Sequence, residues 1–178
     1  MDENAFLVRS VYDHHTLTVM SRALRKTQRR WLSIAMRIFG WTVFSLSALF
    51  QILLALLGAF LWDTSEAVLF LAMFVILAAL LGEDHLNAWI ASWNLVPGTR
   101  EAETAFGETE YECTTQAAVS RWPYANIRTL CETKDYFVFF LSKRHGQIYP
   151  KSGFAQGTPE AFREFVQEKT GKQFRFVK

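Results

Sequence analysis

The stretch IFGWTVFSLSALFQILLALLGAFLW, residues 38–62, carries no charged side chain. A bilayer core takes about 20 apolar residues per helical span, so this stretch is long enough to cross alone. After the acidic turn Asp63-Thr64-Ser65-Glu66, a second apolar run covers residues 67–82. It reaches span length if it continues through Asp84 to Leu86. Together the two runs predict a transmembrane hairpin within residues 38–95, with spans at about 43–62 and 67–86 and both ends on one side.

Charge sets the expected orientation. Residues 1–37 hold Arg9, Arg22, Arg25, Lys26, Arg29, Arg30 and Arg37 against Asp2, Glu3 and Asp13. Residues 38–99 hold no Lys or Arg, and residues 100–178 are mixed. Cations directly before the first span place the N-terminus in the cytoplasm, and the hairpin returns the C-terminus there. The polar lead and the apolar run are both too long for a cleaved signal peptide. Residues 1–37 read as a β-strand at 5–12 and a basic helix from about Thr16 to Arg37. Arg22, Arg25, Lys26, Arg29 and Arg30 have two readings. The simpler is an ordinary topology signal. The other is a polybasic grip on anionic lipid, worth about 1 kcal/mol per charge near the surface.

Ser45, Ser47 and Gln51 fall inside the first span. A buried Gln needs a partner, on the facing helix or on a second copy, and small residues such as Ala55, Gly58 and Ala59 allow close helix contact. Glu83, Asp84 and His85 point in different directions on a helix, so no metal site is expected even with Asp13, His14 and His15 added. They read as the end of a span, meeting headgroups and Arg37. Leu86, Trp89, Ile90 and Trp93 follow as an apolar helical stripe. With Trp31 and Trp41 they read as an interfacial aromatic belt. Val96-Pro97-Gly98 then marks a hinge. Cys113 and Cys131 stand in no CxxC or Cys/His spacing and read as small apolar side chains in a reduced compartment.

Residues 100–178 read as a soluble β domain. Strands are expected near 108–114, 127–131, 136–141 and 147–150, and Pro123 forbids a central ladder position. Thr158-Pro159-Glu160 opens a helix over 159–170 with Phe162, Phe165 and Val166 on one face. The expected fold class is a membrane α+β protein: a two-helix transmembrane hairpin, then a small antiparallel sheet with a C-terminal helix on one side or end.

Four segments occur in order: Arg121-Trp122-Pro123-Tyr124-Ala125-Asn126-Ile127, Glu132-Thr133-Lys134-Asp135-Tyr136-Phe137-Val138, Ile148-Tyr149-Pro150-Lys151-Ser152-Gly153-Phe154 and Phe162-Arg163-Glu164-Phe165. As a set they resemble the C-terminal domain of YcxB-like bacterial membrane proteins, over about residues 106–170. Tyr149 departs from the aliphatic pair usual before Pro-Lys. The resemblance implies a bacterial inner (plasma) membrane protein whose domain is akin to bacterial pleckstrin-homology-like folds. It implies no reaction, and fold alone would not supply one.

Lys143, Arg144 and Lys151 lie in or beside turns, where binding residues collect and where cations suit phosphate. A solvated hairpin turn explains them as simply, and Lys151 can reach a carboxylate such as Glu132. No Ser-His-Asp set, HExxH, P-loop or GxGxxG is present, so no enzyme and no cofactor is expected. The expected role is binding or assembly at the cytoplasmic membrane surface. The expected partners are the lipid bilayer, anionic lipid included, and this protein itself or another membrane protein, with no nucleic acid. A small regulatory or immunity-type subunit of a membrane complex is the alternative, and an oligomeric channel is less favoured.

Overall fold

A computed structural model describes residues 5–58, 64–142 and 145–177. The chain divides into two compact units, one formed by residues up to 28 together with those from 87 onward, the other by residues 29–86. Residues 1–37 therefore do not stand as a segment of their own.

Among the described residues the first unit holds nine strands in two sheets. The first sheet has the order β4 (Val119–Pro123), β3 (Glu110–Thr115), β2 (Glu101–Phe106), β1 (Phe6–Val11) and β8 (Phe154–Gln156), antiparallel throughout. The second has the order β7 (Gly146–Pro150), β6 (Tyr136–Phe140), β5 (Thr129–Glu132) and β9 (Arg175–Phe176), with β9 joining β5 in parallel. One small sheet was expected. Two form because β1 and β2, far apart in sequence, pair along their whole length from Phe6↔Phe106 to Val11↔Glu101. Pro123 and the half-buried Trp122 sit on β4 at the sheet edge, where no ladder donor is required.

Strand β6 is apolar at every position because both its faces are covered. Phe137 and Phe139 point into the main core with Phe106, Tyr149 and Phe162. Val138 and Phe140 point the other way, onto Ala23 of helix α1 (His14–Thr27) and onto Val177. Asp13 caps α1 reciprocally: its Oδ1 accepts from Thr16 N at 2.7 Å, and its own N–H donates to Thr16 Oγ1 at 2.9 Å. The helix expected to run to Arg37 instead stops at Thr27, with Gln28 as C-cap, and a new helix begins at Arg30. Arg29 at the junction has φ −112° and ψ 20°, outside helical values. Arg25 and Lys26 in the last turn of α1 complement the negative end of its dipole.

Helix α4 (Pro159–Thr170) starts as its sequence predicts, with Thr158 Oγ1 accepting from Ala161 N, and ends at Gly171. It buries Phe162 and Val166 between residues of both sheets.

The second unit is built from α2 (Arg30–Leu56) and α3 (Thr64–Trp93), whose last residues belong to the first unit. Both are long and apolar enough to cross a membrane by length and composition. Their large side chains stand mostly exposed; Leu46 and Leu49 are each 63% exposed and Phe74 68%. The bounds differ from those expected. Helix α2 starts before 43 and ends before 62, because Gly58 takes φ +67° just past the C-cap Leu57. Helix α3 absorbs Thr64, Ser65 and Glu66 as its first turn and continues through Trp89 and Trp93. Ala59, Trp62 and Asp63 lie outside the described residues.

Candidate functional site

Polar side chains join α2 to α3 near both ends of the pair. At one end Gln51 Nε2 donates to Glu66 Oε2 at 2.6 Å. At the other, Ser33 Oγ donates to Glu83 Oε2 at 3.2 Å and Arg37 Nε lies 3.6 Å from the same oxygen. About 21–27 Å of helix separates the two sets, at 1.5 Å per residue. Gln51 is buried, and its Oε1 meets no hydrogen-bond partner. Ser45 is exposed and Ser47 half-buried. Gly58, expected at a helix contact, has no atom within 4 Å of where a Cβ would stand. The close approach falls instead at Gly40, where a Cβ would sit 2.7 Å from Leu80 Cδ2. Gly40 was missed because a lone glycine in an apolar run carries no sign of what faces it.

The basic residues singled out from the sequence stand on several elements. Arg22 and Lys26 are exposed on α1, away from the buried Leu17 and Ala23, and Arg25 is half-buried. Arg29 and Arg30 are exposed but belong to the unit of the two long helices. Lys143 and Arg144 lie outside the described residues. Lys151, in the 3₁₀ turn Lys151–Gly153, is engaged inward: its Nζ is 2.6 Å from Glu132 Oε1 and 5.0 Å from the Phe137 ring centroid. Arg163 of α4 grips the same carboxylate through Nε and Nη2. Burial alone would raise the Glu132 carboxyl; the hydrogen bonds and charges of Arg163 and Lys151 outweigh it and hold that group below its ordinary range. This triad ties α4 to β5.

A cationic groove appears where none was expected. Arg128, Lys172 and Arg175 line a cavity of about 360 Å³, and none of its described lining residues is acidic. The pairing Cys131↔Arg175 brings β9 beside β5 and so assembles residues that are remote in sequence. Lys172 Nζ is held by the Ile127 carbonyl at 2.5 Å. Two guanidinium groups and an ammonium suit a phosphate or another oxyanion. The thiols offer no nucleophile in exchange: burial raises both Cys113 and Cys131, keeping them protonated.

Strands β3 to β7 and most of α4, with Glu132, Lys151 and Arg163, fall within one stretch of the chain that matches a known family. Residues 106–166 match the YcxB-like protein family. The YcxB-like segment thus runs from the end of β2 into α4 and contains Glu132, Lys151 and Arg163. It leaves out β1, α1, both long helices, Lys172 and Arg175. Comparison with curated proteins and with solved structures gave no match.

Proposed function

We propose that this chain is a membrane-anchored binding module without enzymatic activity, which holds a YcxB-like domain at the cytoplasmic face of a bacterial inner membrane and receives anionic phosphate groups there. The observation that carries the proposal is the exposure of α2 and α3. Two helices of 27 and 30 residues present Leu, Phe and Ile side chains on nearly every side, which water disfavours and lipid accepts. Gln51 meets Glu66 at one end and Ser33 and Arg37 meet Glu83 at the other, with an apolar stretch between them close to the thickness of a bilayer core. Chain connectivity supports a double crossing: the first unit is left at residue 28 and re-entered at 87. Trp31, Trp41, Trp89 and Trp93, all exposed, suit one interfacial zone, at the end of the pair where Ser33 and Arg37 meet Glu83. Two antiparallel-rich sheets with α4 between them support the pleckstrin-like comparison.

Fractionation tests the anchor. The full chain is expected to stay in the membrane pellet through an alkaline carbonate wash and to leave it in detergent. Release by carbonate overturns the anchor. Native mass spectrometry with added phosphatidylglycerol tests the groove. Replacing Arg128, Lys172 and Arg175 by alanine together is expected to lower lipid retention about tenfold, a loss of roughly 1.4 kcal/mol. Unchanged retention removes the groove from the proposal.

Assembly is a second reading, favoured by the buried and unpaired Gln51 Oε1. A second copy that supplies a donor to this oxygen would give a closed oligomer. Light scattering in mild detergent distinguishes that oligomer from a monomer.

A further inference from the structure

The buried side chain of Gln147 is engaged by two tyrosines. Tyr111 Oη and Tyr149 Oη both donate to Gln147 Oε1, at 2.8 and 3.0 Å. Both phenols are buried, and burial raises both well above their ordinary values, so they remain donors. In this orientation the carboxamide oxygen takes both phenolic O–H groups. Its Oε1 is therefore occupied twice, while its Nε2 has no acceptor among the described residues. Gln147 is only 5% exposed, yet it lines a cavity of about 240 Å³ in the first unit. Its Nε2 is therefore left to the water of that cavity, and a ligand acceptor would take the place of that water.

The rest of the cavity defines what that ligand looks like. Trp122 supplies an aromatic wall, and the His145 ring stands 5.1 Å from its centroid. Ala102 and Ala118 leave room for an apolar body, and Cys113 and Ser120 complete the wall on β3 and β4. No Lys, Arg, Asp or Glu is among the described lining residues, so a neutral acceptor fits better than an ion, whose burial would go uncompensated. We infer that this cavity is a binding site for a small, flat, neutral molecule ending in a carbonyl oxygen, which accepts from Gln147 Nε2 while its ring lies against Trp122. The site shares no residue with the Arg128–Lys172–Arg175 groove and does not depend on it.

Benzamide is the probe: a flat ring, no charge, one carboxamide oxygen, and a size the cavity admits. Binding is read by saturation-transfer NMR on the full chain in mild detergent, with empty micelles as background. A fragment of this size is expected to bind with millimolar affinity. Two variants report on the site. Gln147→Glu keeps an acceptor for both tyrosines but replaces the free donor by an acceptor. Ser120→Phe fills the cavity from the edge strand and removes no hydrogen bond seen in the fold. Saturable transfer from the wild type, reduced at least fivefold in both variants while their circular dichroism is unchanged, is the expected result. Three results overturn the inference: no saturable transfer from the wild type, equal transfer from both folded variants, or loss in only one of two folded variants. Should either variant fail to fold, the wild type with acetone-linked competition decides alone: acetone, a carbonyl without a ring, is expected to displace benzamide at high concentration, and toluene, a ring without a carbonyl, to compete more weakly. The reverse order overturns the role of Gln147.

Discussion

Arg163 on α4 holds Glu132 on β5 through both carboxylate oxygens, Nε to Oε2 at 2.8 Å and Nη2 to Oε1 at 2.5 Å. Lys151 reaches the same carboxylate at 2.6 Å. Glu132 is nearly buried, while its cationic partners keep some solvent. Glu132→Ala strands two cations against the domain and is expected to cost about 2–3 kcal/mol, toward the low end for a broken buried pair because those cations can rehydrate. Chemical denaturation of the detergent-solubilised chain measures it. The sign of the pH dependence follows from the depressed carboxyl. The contribution is complete above the ordinary carboxylate range and is lost as pH falls through the lower folded value. The wild type should therefore lose stability on acidification more steeply than Glu132→Ala.

Phe162 is the ring on which the two sheets converge. It lies 4.7 Å from Phe106 of one sheet and 5.4 Å from Phe137 of the other, with Phe6 and Phe154 at 5.4 and 5.0 Å. Phe162→Ala opens a cavity among rings that cannot all close on it, at about 3–5 kcal/mol. Phe162→Leu should cost less than half as much in the same denaturation series.

Gly40 and Gln51 test the helix pair at two points. Gly40→Val must push aside Leu80, whereas Gly40→Ala asks only for a side-chain adjustment, so the valine should lower the melting temperature in detergent more than the alanine. Gln51→Leu removes the donor to Glu66 and is expected to cost about 1 kcal/mol. An unaltered melting temperature in both Gly40→Val and Gln51→Leu would show that α2 and α3 do not depend on these contacts.

Asp13 caps α1, and α1 covers the outer face of β5, β6 and β7. Asp13→Ala should cost about 1 kcal/mol. The backbone hydrogen bond from Thr16 outweighs burial and holds this carboxyl low as well. Its contribution is thus also present at neutral pH and lost on acidification. Amide exchange should quicken in residues 14–20 ahead of the main core.

Local chemistry made part of this legible. Thr158-Pro159 and the spacing of Phe162 and Val166 define α4 within a residue, and the β-branched and aromatic residues at 5–12 define β1. The alternation in Glu101–Phe106 is as regular, with Ala102, Thr104 and Phe106 turned inward, but Glu and Ala are weak strand formers and two of the three inward side chains are small. The two-sheet arrangement could not be read because it depends on β1 crossing to β2 and β8. The same holds for the groove: Arg128, Lys172 and Arg175 look like scattered surface cations until β9 pairs with β5. The partner of Gln51 was narrowed to a facing helix or a second copy, and the facing residue is Glu66, which stood in what looked like a turn.

Strand β1 lies inside the first sheet, between β2 and β8. A ribosome makes β1 before the two long helices and both its neighbours after them. At about 5–20 residues per second, β1 waits some 5–20 s for β2 to be made. During that interval both its edges are open, and both long helices must be completed before either edge can be filled. Closure of the sheet is therefore a late event that only a fully delivered hairpin permits. A chain stalled within α2 or α3 would display an unpaired strand for as long as it stayed stalled, a ready mark for a chaperone or protease.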